Sequence, residues 1–272
     1  MRVPSSRRPH EERASAQGRP GSAPRALPVV PIGSEVVHLA SRTEALAAVA
    51  ASRRPGRPLA VASVNLDHIH QFPTGVARPG SAVDWLNLID GAPVASQVRR
   101  ITGHPYPKLS GSDLIGGILD DAARQRRTVA ILGGSPACGS ALAERFRSEW
   151  PEVNYLGQWA PARATLSSPL ECRRIASALR VAGVDILIVC LGKPRQEAWI
   201  AEYGEETGAE VLLAFGAVVD FLAGRVARAP EWVSAAGLEW AWRLLLEPRR
   251  LAKRYLVQAP AAYVAVRRSR AA

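Results

Sequence analysis

Cysteine is scarce in this chain: Cys138, Cys172 and Cys190 are the three present among 272 residues. They lack metal-ligand spacing and cannot all pair, which argues against a disulfide-stapled fold and points to a reducing compartment. Long apolar runs are also missing. A membrane span needs roughly 18 apolar residues, and the best stretch, Val211–Gly224, is interrupted by Asp220. The basic N-terminus has no apolar segment of the signal-peptide kind. With 47% apolar and 22% charged residues, the chain has too high an apolar share for a disordered protein and too low a one for a polytopic membrane protein. Its length suits one large domain or two small ones. The expectation is a soluble or membrane-surface cytosolic protein.

The net charge of +11 is unevenly spread. Residues 1–35 carry +3 and residues 225–272 carry +7, which leaves +1 for the long middle. Residues 1–35 are rich in Pro, Ser and Arg without apolar periodicity, and read as a disordered basic leader. The C-terminal charges differ, because they are threaded through an apolar pattern. Trp240, Trp242, Leu244, Leu245 and Leu246 alternate with Arg243, Arg249, Arg250, Lys253 and Arg254, and Pro248 breaks the run into two short helices. Such a segment can lie in a bilayer interface and hold anionic headgroups, or it can pack on the core with its arginines in water.

Between these ends the pattern alternates. Helical spacing occurs at Thr43–Ala51, at Ser112–Arg126 with Ser112 as N-cap, and at Cys138–Glu149, Pro169–Ala182 and Arg195–Tyr203. Runs of strand length occur at Leu59–Val64, Ala82–Ile89, Thr128–Leu132, Val153–Leu156, Asp185–Leu191 and Val211–Phe215. Alternating strands and helices predict a parallel-stranded, Rossmann-like α/β core over residues 36–224. A basic helical appendage over 225–258 and a basic tail over 259–272 follow it. Ligands of such sheets bind at the carboxyl ends of the strands, where Asn65, Asp90, Gly133-Gly134 and Lys193–Gln196 fall.

Each of these has two readings. Gly133-Gly134-Ser135 can cradle phosphate through backbone N–H groups, or serve a turn that needs positive φ. Asp90 at a strand end can act as a general base, or bond its own backbone in a turn. Gly192-Lys193-Pro194-Arg195-Gln196-Glu197 offers cations and an amide to a diphosphate or a sugar hydroxyl; alternatively Lys193 closes the loop and Glu197 serves the helix dipole. Asp67-His68-Ile69-His70 places two histidines on one face if extended, yet no further ligand cluster stands near and the segment can equally begin a helix, so a metal site is not expected. Residue chemistry by itself ends at an α/β protein with an anion or nucleotide site.

The longer strings go further. DILIVCLGKPRQEAW (Asp185–Trp199), FGAVVDFLAG (Phe215–Gly224), Arg228-Ala229-Pro230-Glu231-Trp232 and GLEWAWRLLLEPRRLAKRY (Gly237–Tyr255) together resemble the WecG/TagA/CpsF glycosyltransferases, glycosyltransferase family 26. Ser63-Val64-Asn65, Asp90-Gly91 and Ser110-Gly111-Ser112-Asp113-Leu114 resemble the family's Thr-x-Asn, Asp-Gly and Thr-Gly-x-Asp-Leu. The resemblance spans about residues 35–258.

It implies an inverting, metal-independent enzyme without cofactor. Such an enzyme moves a sugar, typically N-acetylmannosamine, from a UDP-sugar to a polyprenyl-diphosphate-linked acceptor in cell-surface polysaccharide biosynthesis. The implied location is cytoplasmic, peripheral on the inner face of the bacterial membrane, with the C-terminal appendage meeting the anionic surface and completing the site. By the same resemblance Asp90 matches the catalytic base. The resemblance also matches Ser63, Asn65 and Gln196 to the donor and substrate pocket, and Arg243, Arg250 and Arg254 (or Lys253) to arginines that hold the diphosphate; Gly133, Gly134 and Lys193 are expected in the same pocket from their places at the strand ends. Homo-oligomers are also implied. Ser63 stands where Thr is usual, and Ala214–Asp220 is less glycine-rich than the family loop, which leaves the donor sugar open to glucose or another hexose. A nucleic-acid-binding protein using the basic tail is the alternative from another class, and the clustered Trp and Leu fit lipid better.

Overall fold

The computed structural model describes residues 26–53, 56–77, 81–225, 242 and 259–270. Its strands are β1 (Val29–Ile32), β2 (Glu35–His38), β3 (Leu59–Val64), β4 (Asp84–Ile89), β5 (Thr128–Gly133), β6 (Asn154–Trp159), β7 (Ile186–Cys190) and β8 (Val211–Ala214). They form one eight-stranded sheet in the order β1-β2-β4-β3-β8-β7-β5-β6. Every pairing is parallel except the β1–β2 hairpin. This is the expected Rossmann-like α/β architecture.

The sheet is covered on both faces, which is why its strands read as continuous apolar runs. Val61, Leu213, Ile188 and Ile131 face one layer, built from α1 (Arg42–Ala51), α4 (Gly111–Arg124), α5 (Gly139–Glu149) and α8 (Val218–Leu222). Ala62, Leu212, Leu187 and Ala130, one residue out of phase, face α6 (Pro169–Val181) and α7 (Arg195–Tyr203). Each fully buried Val, Leu or Ile contributes roughly 1.5–3 kcal/mol. In α4 the buried residues Leu114, Ile115, Ile118, Leu119 and Ala122 fall on one helical stripe. That helix starts earlier than expected, because Asp113 rather than Ser112 organises its first turn. The Asp113 carboxylate reaches back to accept from Ser110 N (3.0 Å) and Ser110 Oγ (2.6 Å).

Three regions depart from the sequence-based boundaries. The leader was expected to run to residue 35, but β1 and β2 pair from Val29↔His38 to Ile32↔Glu35, so the ordered sheet begins seven residues or so sooner. The hairpin is short and carries prolines, which hides its period. Helix α3 (Ala92–Thr102), not assigned from the sequence, follows the Asp90-Gly91 turn directly, and α2 (Leu66–Gln71) covers the histidine pair, the helical one of its two readings. Within the expected basic tail, Ala259–Arg268 form the helix α9. Val266 and Ala262 of α9 are buried in a third cluster with Ile69, Ile89 and Val98. Its end is tied down by Gly33 N to Ser269 Oγ (2.7 Å) and Gln97 Nε2 to Ser269 O (2.7 Å).

The cysteines are all buried and free, and burial pushes the Cys190 thiol up to about 12, which makes it inert. Among the described residues, no helix is long and apolar enough to cross a membrane. The docking of α9 is testable. Val266→Asp buries an unpaired carboxylate and is expected to cost about 2 kcal/mol in urea unfolding, whereas Tyr263→Asp, on the exposed face, should stay within about 0.5 kcal/mol. Equal effects would show that α9 does not pack as described.

Candidate active site

The winding of the sheet concentrates chemistry at its carboxyl edge. From β5 the chain leaves through α5 to the outer strand β6, while from β7 it leaves through α7 to the inner strand β8. Connections that diverge in this way open a crevice above the strand ends. The tips of five successive neighbours, β4, β3, β8, β7 and β5, carry Asp90, Ser63 to Asn65, Phe215-Gly216, Gly192-Lys193 and Gly133-Gly134.

At its centre is the pair Asn65–Asp90. Val64 and Ile89 are register partners, so the next residue on each strand emerges beside the other. Asn65 is the N-cap of α2, and its Oδ1 accepts from His68 N at 3.1 Å. With the oxygen committed there, Nδ2 must point away from the helix, and it donates to Asp90 Oδ2 at 2.8 Å. Asp90 is itself pinned through its N–H to Val64 O at 3.0 Å, and both side chains are half-buried. Gly91, at φ +79°, lets the chain turn away immediately after it. A carboxylate held by one oxygen on a rigid strand tip can receive a proton through the other.

Lys193 reaches from the β7 loop across the β8 tip, where its ammonium donates to the Ser63 carbonyl and lies 3.3 Å from His68 Nδ1 and 3.8 Å from Glu197 Oε1. The peptide that follows it, Lys193–Pro194, is cis. Ser63 directs its own hydroxyl to Leu109 O at 3.4 Å, so its side chain supports the loop before α4. Gln196 is 2% exposed, and its Nε2 donates to Ala214 O (2.8 Å) and Glu197 Oε1 (3.1 Å). That leaves Gln196 Oε1 without a partner among the described residues and turned toward Gly216, where a Cβ would sit 2.6 Å from it. It is a fixed, buried acceptor packed against Gly216 just below the strand tips.

For Gly133-Gly134 the turn accounts for the sequence. Both have positive φ, a Cβ on Gly133 would lie 2.4 Å from Cys190 O, and the Gly134 N–H is engaged by Cys190 O at 3.2 Å. The Gly134 amide is therefore not aimed at a phosphate. The histidine pair lies on a helix, where residues two apart face opposite ways; His68 is fully buried and His70 exposed. No group of three or more His, Cys, Asp or Glu with metal-binding geometry occurs among the described residues. Arg243, Arg250 and Arg254 lie outside the described residues. What the sequence reading missed is Glu35, 3% exposed and bonded to His68, and the full burial of Glu197. The Lys193–Glu197 spacing of four was the available signal for the second; nothing local signalled the first. A 240 Å³ cavity lined by Arg42, Trp150 and Phe221 lies on the α1–α4 side and includes none of these groups.

Burial holds the His68 imidazole below its usual range; the hydrogen bond to Glu35 opposes this, and the charge of Lys193 adds to it. Burial also lowers His38, whose Nδ1 accepts from Asn87 N at 3.1 Å. In the unfolded chain both titrate near 6.5, so below that pH the unfolded state binds more protons. The stability this burial leaves intact at neutral pH is thus lost as pH falls from about 6.5. Urea unfolding at pH 7 and pH 5 should show the loss, with a shallower dependence in His68→Gln; an unchanged dependence would mean that His68 is not held neutral.

Residues 30–272 match the Glycosyl transferase WecG/TagA/CpsF family. The match begins within the β1–β2 hairpin and runs through α9, so it covers the two terminal segments that the sheet and the third core cluster already draw into the fold. It extends the resemblance read from the motifs by several residues at one end and by the whole of α9 at the other. This chain is a member of the WecG/TagA/CpsF glycosyltransferases, a family of cell-surface polysaccharide biosynthesis that pairs nucleotide-sugar donors with lipid-linked acceptors.

Proposed function

We propose that this enzyme is an inverting, UDP-sugar-dependent transferase in which Asp90 is the catalytic base. The observation that carries the reading is the 2.8 Å bond from Asn65 to Asp90 at adjacent strand tips. In the proposed step the acceptor hydroxyl attacks the anomeric carbon of the donor, its proton passes to Asp90, and UDP departs from the opposite face. A single displacement inverts the anomeric centre and requires one base. An aspartate is ordinarily ionised at neutral pH, so positioning is what the fold must supply.

The departing diphosphate gains negative charge. Arg243, Arg250 and Arg254 are assigned to it, since a guanidinium binds phosphate oxygens in a bidentate way that an ammonium cannot reproduce. These cations supply the electrostatic stabilisation, and the proposed step includes no metal. Lys193 and the open acceptor Gln196 Oε1 are assigned to the donor pocket. The acceptor is read as a polyprenyl-diphosphate-linked sugar and the donor sugar as N-acetylmannosamine, with glucose or another hexose as the second reading. A peripheral position on the inner membrane face is supported by the +7 charge of residues 225–272 and by Tyr263 and Val264, each 46% exposed on α9 near Arg267 and Arg268. Self-association away from the membrane belongs to the same reading.

Asp90→Asn keeps a group that can accept from Asn65, so the fold should survive by circular dichroism while sugar transfer falls about 10²–10⁴-fold. Near-normal turnover would remove Asp90 as the base. Product masses from a UDP-sugar panel with a polyprenyl-diphosphate acceptor identify the donor, and no product with any UDP-sugar would overturn the UDP-dependent reading. Arg243→Lys, which keeps the charge and loses the fork, is expected to lower transfer about tenfold or more.

A further inference from the structure

Beneath the strand tips lies a buried polar group that the transfer step does not call on. Glu35 opens β2, far in sequence from Asp90, yet three donors converge on its carboxylate: His68 Nε2 (3.0 Å), Val76 N (2.7 Å) and Asn87 Nδ2 (3.2 Å). His68 is fully buried, with its other ring nitrogen 3.3 Å from Lys193 Nζ. An ammonium has only hydrogens to offer, so His68 Nδ1 accepts, the ring proton sits on Nε2, and Nε2 donates to Glu35. The partners on either side thus select one neutral tautomer. Lys193 also donates to Ser63 O and faces Glu197, so the ammonium is surrounded by a carbonyl, an imidazole nitrogen and a carboxylate.

The chain Glu35–His68–Lys193 ties together the pieces that carry the site. His68 belongs to the first turn of α2, whose cap Asn65 holds Asp90. Asn87 lies on β4, three residues before Asp90. Lys193 belongs to the β7 loop and grips the end of β3. Moving Glu35 would loosen all three at once.

We propose that Glu35 is a positioning residue for sugar transfer: through His68 it holds the Lys193 ammonium at the tip of β3, and through α2 and Asn87 it fixes the frame in which Asn65 orients Asp90. The proposal rests on the reading of Asp90 as the base. Its chemistry is specific to a carboxylate. Three donors converge on Glu35, so an amide in its place must turn N–H toward at least one of them. The groups facing Lys193 are His68 on α2, Glu197 on α7 and, behind His68, Glu35 on β2. Neutralising Glu35 removes one anion from this set and makes it easier for Lys193 to lose its proton.

Glu35→Gln is therefore expected to lower kcat at least about tenfold and to move the alkaline limb of the kcat profile to lower pH. Glu35→Asp should restore most of the alkaline limb. A wild-type pH profile in Glu35→Gln, whatever its melting temperature, would overturn the proposal by leaving Glu35 a structural role only. Should Glu35→Gln fail to fold, Lys193→Met serves instead; it should abolish the alkaline limb, and a retained limb would overturn the proposal. A second readout is independent of catalysis. Nitrogen-15 spectra of histidine-labelled protein at pH 7 should show His68 neutral with its proton on Nε2, and a proton on Nδ1 or an imidazolium would overturn the proposed chain of bonds. If the wild-type protein transfers no sugar, the assigned function fails while the spectra still judge that chain.

Discussion

Asn65 bonds in two directions, and the geometry at the carboxyl edge of the sheet follows from that. Its oxygen is committed to the first turn of α2, so its amino group has one way to point, toward Asp90. An aspartate could cap the helix equally well, but it would leave an acceptor, not a donor, facing the carboxylate. The pairing of Val64 with Ile89 makes the arrangement reproducible. A slip of one residue would turn every side chain of the strand to the opposite face.

The layers on either side of the sheet are apolar, and against that background the Glu35, His68, Lys193 and Glu197 group stands out. Taking charges out of water is unfavourable unless each finds partners, and here a carboxylate with three donors, a neutral imidazole and a lysine with three neighbours largely meet that condition. The exceptions are Glu197 Oε2 and Gln196 Oε1, which find no partner among the described residues. They adjoin the β7–α7 loop, and each is a buried acceptor whose capacity the described residues leave unused. The β1–β2 hairpin thereby acquires a purpose beyond extending the sheet, since it delivers Glu35 to this group.

The far end of the chain is also structural. After Arg225 the described chain, apart from Trp242, resumes at Ala259 and ends packed on α2 and α3 through Ala262 and Val266. The stretch carrying Arg243, Arg250 and Arg254 is thus bounded on both sides by residues anchored in the core. A truncation that removes α9 with that stretch would strip a buried cluster from beneath α2, so its effect on activity could not be assigned to the arginines. Point substitutions separate the two.

The α/β class, six of the strands and five of the helices were legible in the sequence, because strand runs buried on both faces and amphipathic helices leave periods of their own; Arg195–Tyr203 came out to the residue. Asp90 and Asn65 were legible as strand-end residues, and the family resemblance gave them roles. The hairpin was hidden in a proline-rich stretch resembling the leader, and α9 in a string of alanines and arginines. Composition and spacing by themselves determined the class of fold, the edge of the sheet that would carry the site and the uneven charge. Only the tertiary structure decided that Gly133 and Gly134 serve close backbone passage, that Ser63 turns its hydroxyl inward, and that Glu35 and His68 meet across 33 residues. The reason is physical: periodicity reports how a residue faces its own helix or strand, whereas a hydrogen bond between distant elements depends on how those elements pack, and no local pattern encodes that.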